Sequence, residues 1–327
     1  MIYQDRAYGE FTIDEPVILD LIASPAMQRL KHIDQGGYSE VRFPGMKNDR
    51  FEHSLGVYLL LKMFNAPLPE QVAGLIHDIS HSAFSHCIDY ALPQGSEKEQ
   101  SHQDNVFIDY IKRTDIPRIL ERHGFDINYL TDDNNFPLKE KELPELCADR
   151  LDYSLRQLII FQFGGKAEVE NLLASLKVIA NNWVFCDFAA ARKYAEYFRQ
   201  LNDRHYSGPP TAHMFRTCGD YLRRGLEQNY ITAADLYTTD EEVLAKMRLY
   251  HGTDAELKRL FARMNNETKW EVKASDYNAH VWCKSRIVDP LCLHQNEIKR
   301  VSDIDESWQE VVARLLQPKE YFLKFYD

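Results

Sequence analysis

His77-Asp78-Ile79-Ser80-His81-Ser82-Ala83-Phe84-Ser85-His86 is the stretch on which the fold turns. Just before it, Val72, Leu75, Ile76 and Ile79 recur at helical spacing, with Pro69 suited to a first turn. The spacing predicts one helix through His77, Asp78 and His81, because residues three and four apart are neighbours on a helix. Upstream, Val57, Leu60 and Phe64 share a face with His53, which predicts a helix over 50–65. Downstream, Pro144 opens a long predicted helix with a core stripe of Leu151, Leu155, Leu158 and Ile159. Its polar face carries Asp149, Asp152, Tyr153, Arg156 and Gln157.

Further out the pattern stays helical. Short helices are expected around 17–22 and 27–32, and others at 168–179, 188–203, 214–228, 240–249 and 255–265. Alternation predicts a short strand over 38–43 and strands within 270–288, notably 279–282. The polar run 131–137 reads as a loop and β-hairpin tip. The fold class is therefore mainly α, with minor strands. Gly164-Gly165 divides a core, residues 1–164, from a helical and partly β region, residues 165–327. Whether the two pack as one body stays open.

A chain of 327 residues buries roughly three quarters of its surface, so no metal or disulfide is needed merely to make a core. The formal net charge of −11 and the lack of a Lys/Arg run argue against a nucleic-acid polymer as partner. They do not exclude a small anionic substrate, since a bound divalent metal reverses the local field. Six cysteines without a CxxC pair point to free thiols in a reducing compartment. Residues 1–11 lack the basic and apolar regions of a signal peptide. The apolar run 57–63 is broken by Lys62 and too short to cross a bilayer. The expectation is a cytoplasmic protein with no membrane partner; an assembly of like chains stays open.

Five of the twelve histidines lie within 53–102: His53, His77, His81, His86 and His102. A His-Asp dipeptide alone carries little information, so His77-Asp78 is judged by its company. His53 and Asp149 can reach it from other helices. Taken singly, His53, Asp78 and Asp149 each read first as a core histidine or a solvated acid. Together, two imidazoles and two carboxylates suit Fe, Mn, Co, Ni or Zn better than Ca or Mg.

Arg50-Phe51-Glu52-His53-Ser54-Leu55-Gly56, the 77–86 stretch and Asp149-Arg150-Leu151-Asp152-Tyr153 together resemble the HD-domain phosphohydrolases. The nearest branch is that of the dNTP triphosphohydrolases. The likeness begins at residue 27 and runs to Tyr153, with 286–291 resembling a later segment. It implies His53, His77, Asp78 and Asp149 as metal ligands, and a second metal such as Mg held through His81 and His102 under a diesterase reading. It implies Arg50 and Arg150 as phosphate contacts, suited by their planar forks. It assigns His81, His86 and His102 to proton handling, with Asp89 orienting His86. Gln35, Tyr153 and Gln157 fall among the substrate contacts. Three positions depart from the branch: Gln157 replaces an acid that meets the sugar 3′-hydroxyl, Gly36 replaces a bulkier residue, and Gln103 replaces a glutamate.

The expected activity is metal-dependent hydrolysis of a nucleotide phosphate ester, with a (d)NTP triphosphohydrolase as the finer reading. A phosphomonoesterase or phosphodiesterase on the same ligands remains an alternative. So does a nucleotide-binding regulator without turnover.

Overall fold

The computed structural model describes residues 1–327. Strands β1 (Ile2–Asp5) and β2 (Gly9–Thr12) form an antiparallel hairpin. Helices α1 (Pro16–Ala23), α2 (Pro25–Arg29), α3 (Arg50–Met63) and α4 (Leu68–Ile76) follow. Then come α5 (His102–Ile111), α6 (Ile116–Arg122), α7 (Ile127–Leu130), α8 (Ala148–Ile160) and α9 (Lys166–Ala174). The remainder runs β3 (Leu176–Ile179), β4 (Asn182–Phe185), α10 (Phe188–Leu201), α11 (Pro209–Glu227), α12 (Asp240–Arg248) and α13 (Ala255–Met264). It closes with β5 (Trp270–Val272), β6 (Ala279–Cys283), β7 (Leu291–His294), β8 (Glu297–Arg300), α14 (Val301–Ile304), α15 (Glu306–Leu315) and β9 (Lys319–Phe325). The fold is mainly helical with minor sheets, as the periodicity predicts. No helix is long and apolar enough to cross a membrane.

The strands make a four-stranded sheet in the order β3-β4-β7-β8 and a three-stranded one in the order β5-β9-β6. Pairing is antiparallel except between β4 and β7, where Val184 and Phe185 run parallel to Leu291 and Cys292. Helix α3 packs against both α4 and α8. Val57, Leu151, Leu155 and Leu158 join Trp183, Phe198 and Trp308 in one buried cluster. Phe84, Cys87 and Tyr90 join Phe215, Leu222, Val281 and Leu323 in another. Both clusters draw side chains from either side of residue 164.

Several local expectations are corrected. α4 stops at Ile76, with His77 as its C-cap, so Asp78 and His81 lie beyond the helix. Bonds from Ile79 N to the Ile76 carbonyl and from His81 N to the Asp78 carbonyl close turns there instead. Residues 38–43 form no strand. The Asp34 carboxylate accepts from Gly36 N, Ser39 N and the Ser39 hydroxyl, and the Ser39 carbonyl accepts from Arg42 N and Phe43 N. These local bonds use up groups a ladder would need. The 131–137 run is no hairpin tip but holds a short 3₁₀ turn at Asp133–Asn135. α8 starts at Ala148 rather than Pro144, because Ala148 N donates to the Leu138 carbonyl and holds the preceding chain outside the helix. The helix expected over 168–179 ends at Ala174 and gives way to β3.

Candidate active site

Asp49 caps α3 by accepting from Glu52 N at 2.8 Å, and the first turns of that helix present Arg50 and His53. α4 delivers His77 at its end, and the turn after it delivers Asp78 and His81. α8 brings Asp149, Asp152, Tyr153 and Gln157 along one face. His53 Nε2 stands 2.9 Å from Asp149 Oδ1, and His77 Nε2 stands 3.5 Å from the same oxygen. His53, His77 and Asp149 thus form a metal-sized cluster. Asp78 lies beside it, Oδ1 3.5 Å from His77 Nε2 and Oδ2 3.8 Å from His53 Nε2.

The hydrogen bonds behind these groups decide what they can hold. His53 Nδ1 is 2.7 Å from Asp152 Oδ2, and His77 Nδ1 is 2.8 Å from the Gly74 carbonyl. Both acceptors require the proton on Nδ1, so each neutral ring turns a bare Nε2 toward the carboxylates. His77 Nε2 is buried without a hydrogen-bond partner. Lone pairs on nitrogen facing carboxylate oxygens call for a cation between them. Without a metal a proton takes that place. Burial works against a charged ring, but Asp149 and Asp152 outweigh it and hold His53 up at about 10. The set therefore fits a divalent first-row metal, with Asp152 as the carboxylate that orients a histidine ligand.

Asp152 is fully buried and held by two further side chains. Tyr8 of the hairpin donates to its Oδ1 at 2.8 Å, Arg156 Nη2 donates to Oδ1 at 2.9 Å, and Arg156 also pairs with Asp5. A Cβ on Gly56 would lie 1.9 Å from Asp152 Oδ1, so only glycine lets α3 pass this group.

Arg50 donates to Asp78 Oδ2 at 2.5 Å and to Ser85 Oγ at 2.8 Å. Burial works the other way, yet Arg50, His77 and His81 hold the Asp78 carboxyl well below the usual range. Phe84 and Ser85 both adopt left-handed backbone, φ 60° and 47°. Asp240 accepts from Phe84 N and Asp34 N, each at 2.8 Å, and clamps this strained turn to the Asp34 loop.

His81 and His86 line the same cavity, their rings edge-on with centroids 5.0 Å apart. Burial, with Arg50 nearby, holds both well below the usual histidine range, so both are neutral near pH 7. His86 Nδ1 is 3.8 Å from Asp89 Oδ2 and neither atom has a hydrogen-bond partner, so Asp89 does not fix that ring. His102 is not brought into the cavity. Its Nε2 meets the Tyr237 hydroxyl at 3.2 Å, and its backbone N donates to Asp89. Gln103 lines the wall instead.

The cavity has a volume of about 580 Å³ and includes Gln35, Gly36, Arg150, Tyr153 and Gln157 in its lining. Gln35 Oε1 accepts from Asn48 at 2.7 Å. Gly36 is not spare room: a Cβ there would lie 2.9 Å from Ser39 Cβ. Gln157 Oε1 is buried and unpaired. Arg150 is heavily engaged, with Glu140, Cys147 Sγ and the carbonyls of Lys141 and Glu145 as acceptors. Its guanidinium thereby occupies a second possible cation cluster, Glu140–Cys147–Asp149. Sequence reasoning missed Lys139, Lys141, His205, Tyr206 and Lys284, which also line the cavity. The only signal for any of them was the Lys284-x-Arg286 alternation beside a predicted strand.

Residues 50–156 match the HD domain family. The metal-dependent phosphohydrolase cns2 of Cordyceps militaris is 30% identical over 274 residues, 82% of this chain and 78% of its own. The deoxynucleoside triphosphate triphosphohydrolase SAMHD1 of Danio rerio is 33% identical over 143 residues, 38% of this chain and 23% of its own. A crystal structure of a phosphohydrolase from Bacteroides thetaiotaomicron superposes with a TM-score of 0.75 at 16% identity, covering 100% of this chain and 99% of that one. The matched segment spans α3, α4 and α8, the helices that gather these histidines and aspartates, and the chain belongs to the HD-domain metal-dependent phosphohydrolases.

Proposed function

We propose that this chain hydrolyses a phosphate ester of a nucleotide on a floor formed by His53, His77, Asp78 and Asp149. The observation that carries this reading is the bare, buried Nε2 of His77 facing two carboxylates at 3.5 Å. A divalent metal bound there would supply Lewis acidity toward a phosphoryl oxygen.

The chain's own groups supply the rest. Arg50 fixes Asp78 and contributes positive charge beside the floor. His81 and His86, neutral when the site is empty, present imidazoles that orient a water or hand a proton to the leaving oxygen. An incoming phosphate favours their charged forms. The Gln157 amide makes no hydrogen bond to protein through its buried Oε1, which leaves it for a sugar hydroxyl. Tyr153, its ring 6.4 Å from that of His53, walls the same end. Phe161 stacks on His205 at 3.6 Å and offers an aromatic surface of the kind a base stacks on. A cavity of about 580 Å³ suits a ligand of nucleotide size.

The dNTP reading draws on the SAMHD1 likeness, which covers only part of this chain. A neutral amide at Gln157 selects less strongly for a 3′-hydroxyl than a carboxylate, because charge-assisted bonds are about twice as strong. The diesterase reading loses support, since the His102 ring meets the Tyr237 hydroxyl and does not line the cavity. The test is metal analysis and a panel of matched ribo-, deoxyribo- and 3′-modified nucleotides, with His77→Ala and Asp149→Ala alongside. Both variants are expected to stay helical while losing most metal and turnover. Full metal occupancy in both would refute the site.

A further inference from the structure

Six lysines and arginines line the cavity: Arg50, Lys139, Lys141, Arg150, Lys284 and Arg286. Five have an acceptor in the protein. Arg50 has Asp78, Lys139 has Asp133, Lys141 has Asn182, Arg150 has Glu140, and Arg286 has Gln100 Oε1 at 3.0 Å. Lys284 alone has none. It is half-buried, and its charge is opposed by Arg286 and Arg150 and favoured by Asp104 and Glu140.

We propose that Lys284 anchors the phosphate chain of the substrate, forming with Arg286 an anion subsite carried into the cavity by the C-terminal half. This rests on the hydrolase reading above and adds where the phosphates not held at the metal floor are gripped. An ammonium removed from water has three donors to satisfy, and phosphate oxygens meet them with charge-assisted bonds. The arrangement is unfavourable when empty and is relieved by an anion. Burial, with Arg286 close by, lowers Lys284 to about 8.

The position is built rather than incidental. β6 pairs Cys283 with Lys319 of β9, which fixes the register of the chain entering the subsite. Cys283, Ser285 and Ile287 are buried, while Lys284 and Arg286 are not, so the alternation turns the two cations to one side. Asn202 locks the segment, donating to Ser285 Oγ at 3.1 Å and accepting from Arg286 N at 2.8 Å. Asn202 also begins the π-helical turn Asn202–Tyr206 that carries His205 and Tyr206. One side chain thus ties the subsite to the far end of the cavity, where π turns are often found at functional sites.

The experiment uses pyrophosphate as probe on the metal-loaded protein. Acetic anhydride labelling at a series of pH values, read lysine by lysine by mass spectrometry, reports each amine's protonation and access. Lys284 is expected to label with a midpoint near 8, and saturating pyrophosphate to raise that midpoint and slow the labelling. By calorimetry, Lys284→Met should weaken pyrophosphate binding about 10–100-fold, the worth of one hydrogen bond to a charged group. Its metal content should be unchanged, and Lys284→Arg should recover much of the loss. Labelling indifferent to saturating pyrophosphate, or unchanged binding by Lys284→Met, overturns the subsite and leaves the hydrolase reading standing. Protection of Lys284 with no turnover on any nucleotide does the reverse. Should Lys284→Met fail to fold, the labelling of the wild-type protein decides.

Discussion

Replacing Asp152 by Asn tests the support behind the proposed metal floor without touching a ligand. Asp152 is buried, accepts from His53 Nδ1 at 2.7 Å, and is held by Tyr8 and Arg156. Asn is nearly isosteric, so packing is kept. What changes is charge: a neutral amide oxygen polarises the imidazole less than a carboxylate, and the bare Nε2 becomes a poorer donor. Loss of such an outer partner costs roughly 10–100-fold in metal affinity, or about 1.4–2.7 kcal/mol. Stability falls as well, because Arg156 loses one of the acids that neutralise it, although Asp5 and Glu52 remain. The measurement is metal affinity by competition with a chromophoric chelator, with circular dichroism checking the fold. A folded Asp152→Asn protein that binds metal as tightly as wild type would refute the argument that this carboxylate sets the basicity of His53.

Two further substitutions probe the same frame. Gly56→Ala gains about 1 kcal/mol of helix propensity but drives a methyl into Asp152 and Arg156, and disrupting a buried ion pair costs about 3–5 kcal/mol. A net loss of about 2–4 kcal/mol is expected in urea unfolding, and a neutral or stabilising result would show that the network yields freely. Asp240 is raised to about 7, chiefly by burial, against 3.8 for the free side chain. The folded state therefore keeps a proton that the unfolded chain releases. The stability from this group is full below about pH 4 and is lost as pH rises to about 7, by up to about 4 kcal/mol. Asp240→Asn should lag wild type at pH 5 and close the gap by pH 8; a gap that stays constant refutes the assignment.

Helix positions were legible where an apolar stripe ran for several turns. α3, α8, α10, α12 and α13 lie close to where periodicity puts them, since burial of one face fixes both period and phase. The N-terminal hairpin went unread because four-residue strands alternate too briefly to separate from chance. β7 and β8 went unread for the same reason. The end of α4 was misplaced because its stop is tertiary: Arg50 on another helix holds Asp78 outside the helical path. The four proposed ligands were legible through the family resemblance of three short motifs, and their side chains are drawn together in space. His102 was legible only as a histidine. Nothing in its neighbours signals that its ring meets Tyr237, which lies 135 positions away. The cavity wall after residue 164 was nearly silent, because Lys284 lies just past the end of β6 and His205 and Tyr206 lie in a single π-helical turn, too short to leave a periodic pattern.

The parallel pairing of β4 with β7 has a consequence for how the chain is made. Val184 leaves the ribosome long before its partner Leu291. At roughly 5–20 residues per second, that interval lasts several seconds or more. During it β4 has β3 on one side and an open edge on the other, a template for another nascent chain. The helices bearing the proposed ligands are already synthesised by then, whereas Lys284 arrives only just ahead of β7. A translational pause between residues 185 and 291 therefore lengthens exposure of a sticky edge on a chain that already carries the proposed ligands and still lacks the proposed anion subsite. Synonymous codon changes in that interval are a place where expression yield can change with no change in the protein made.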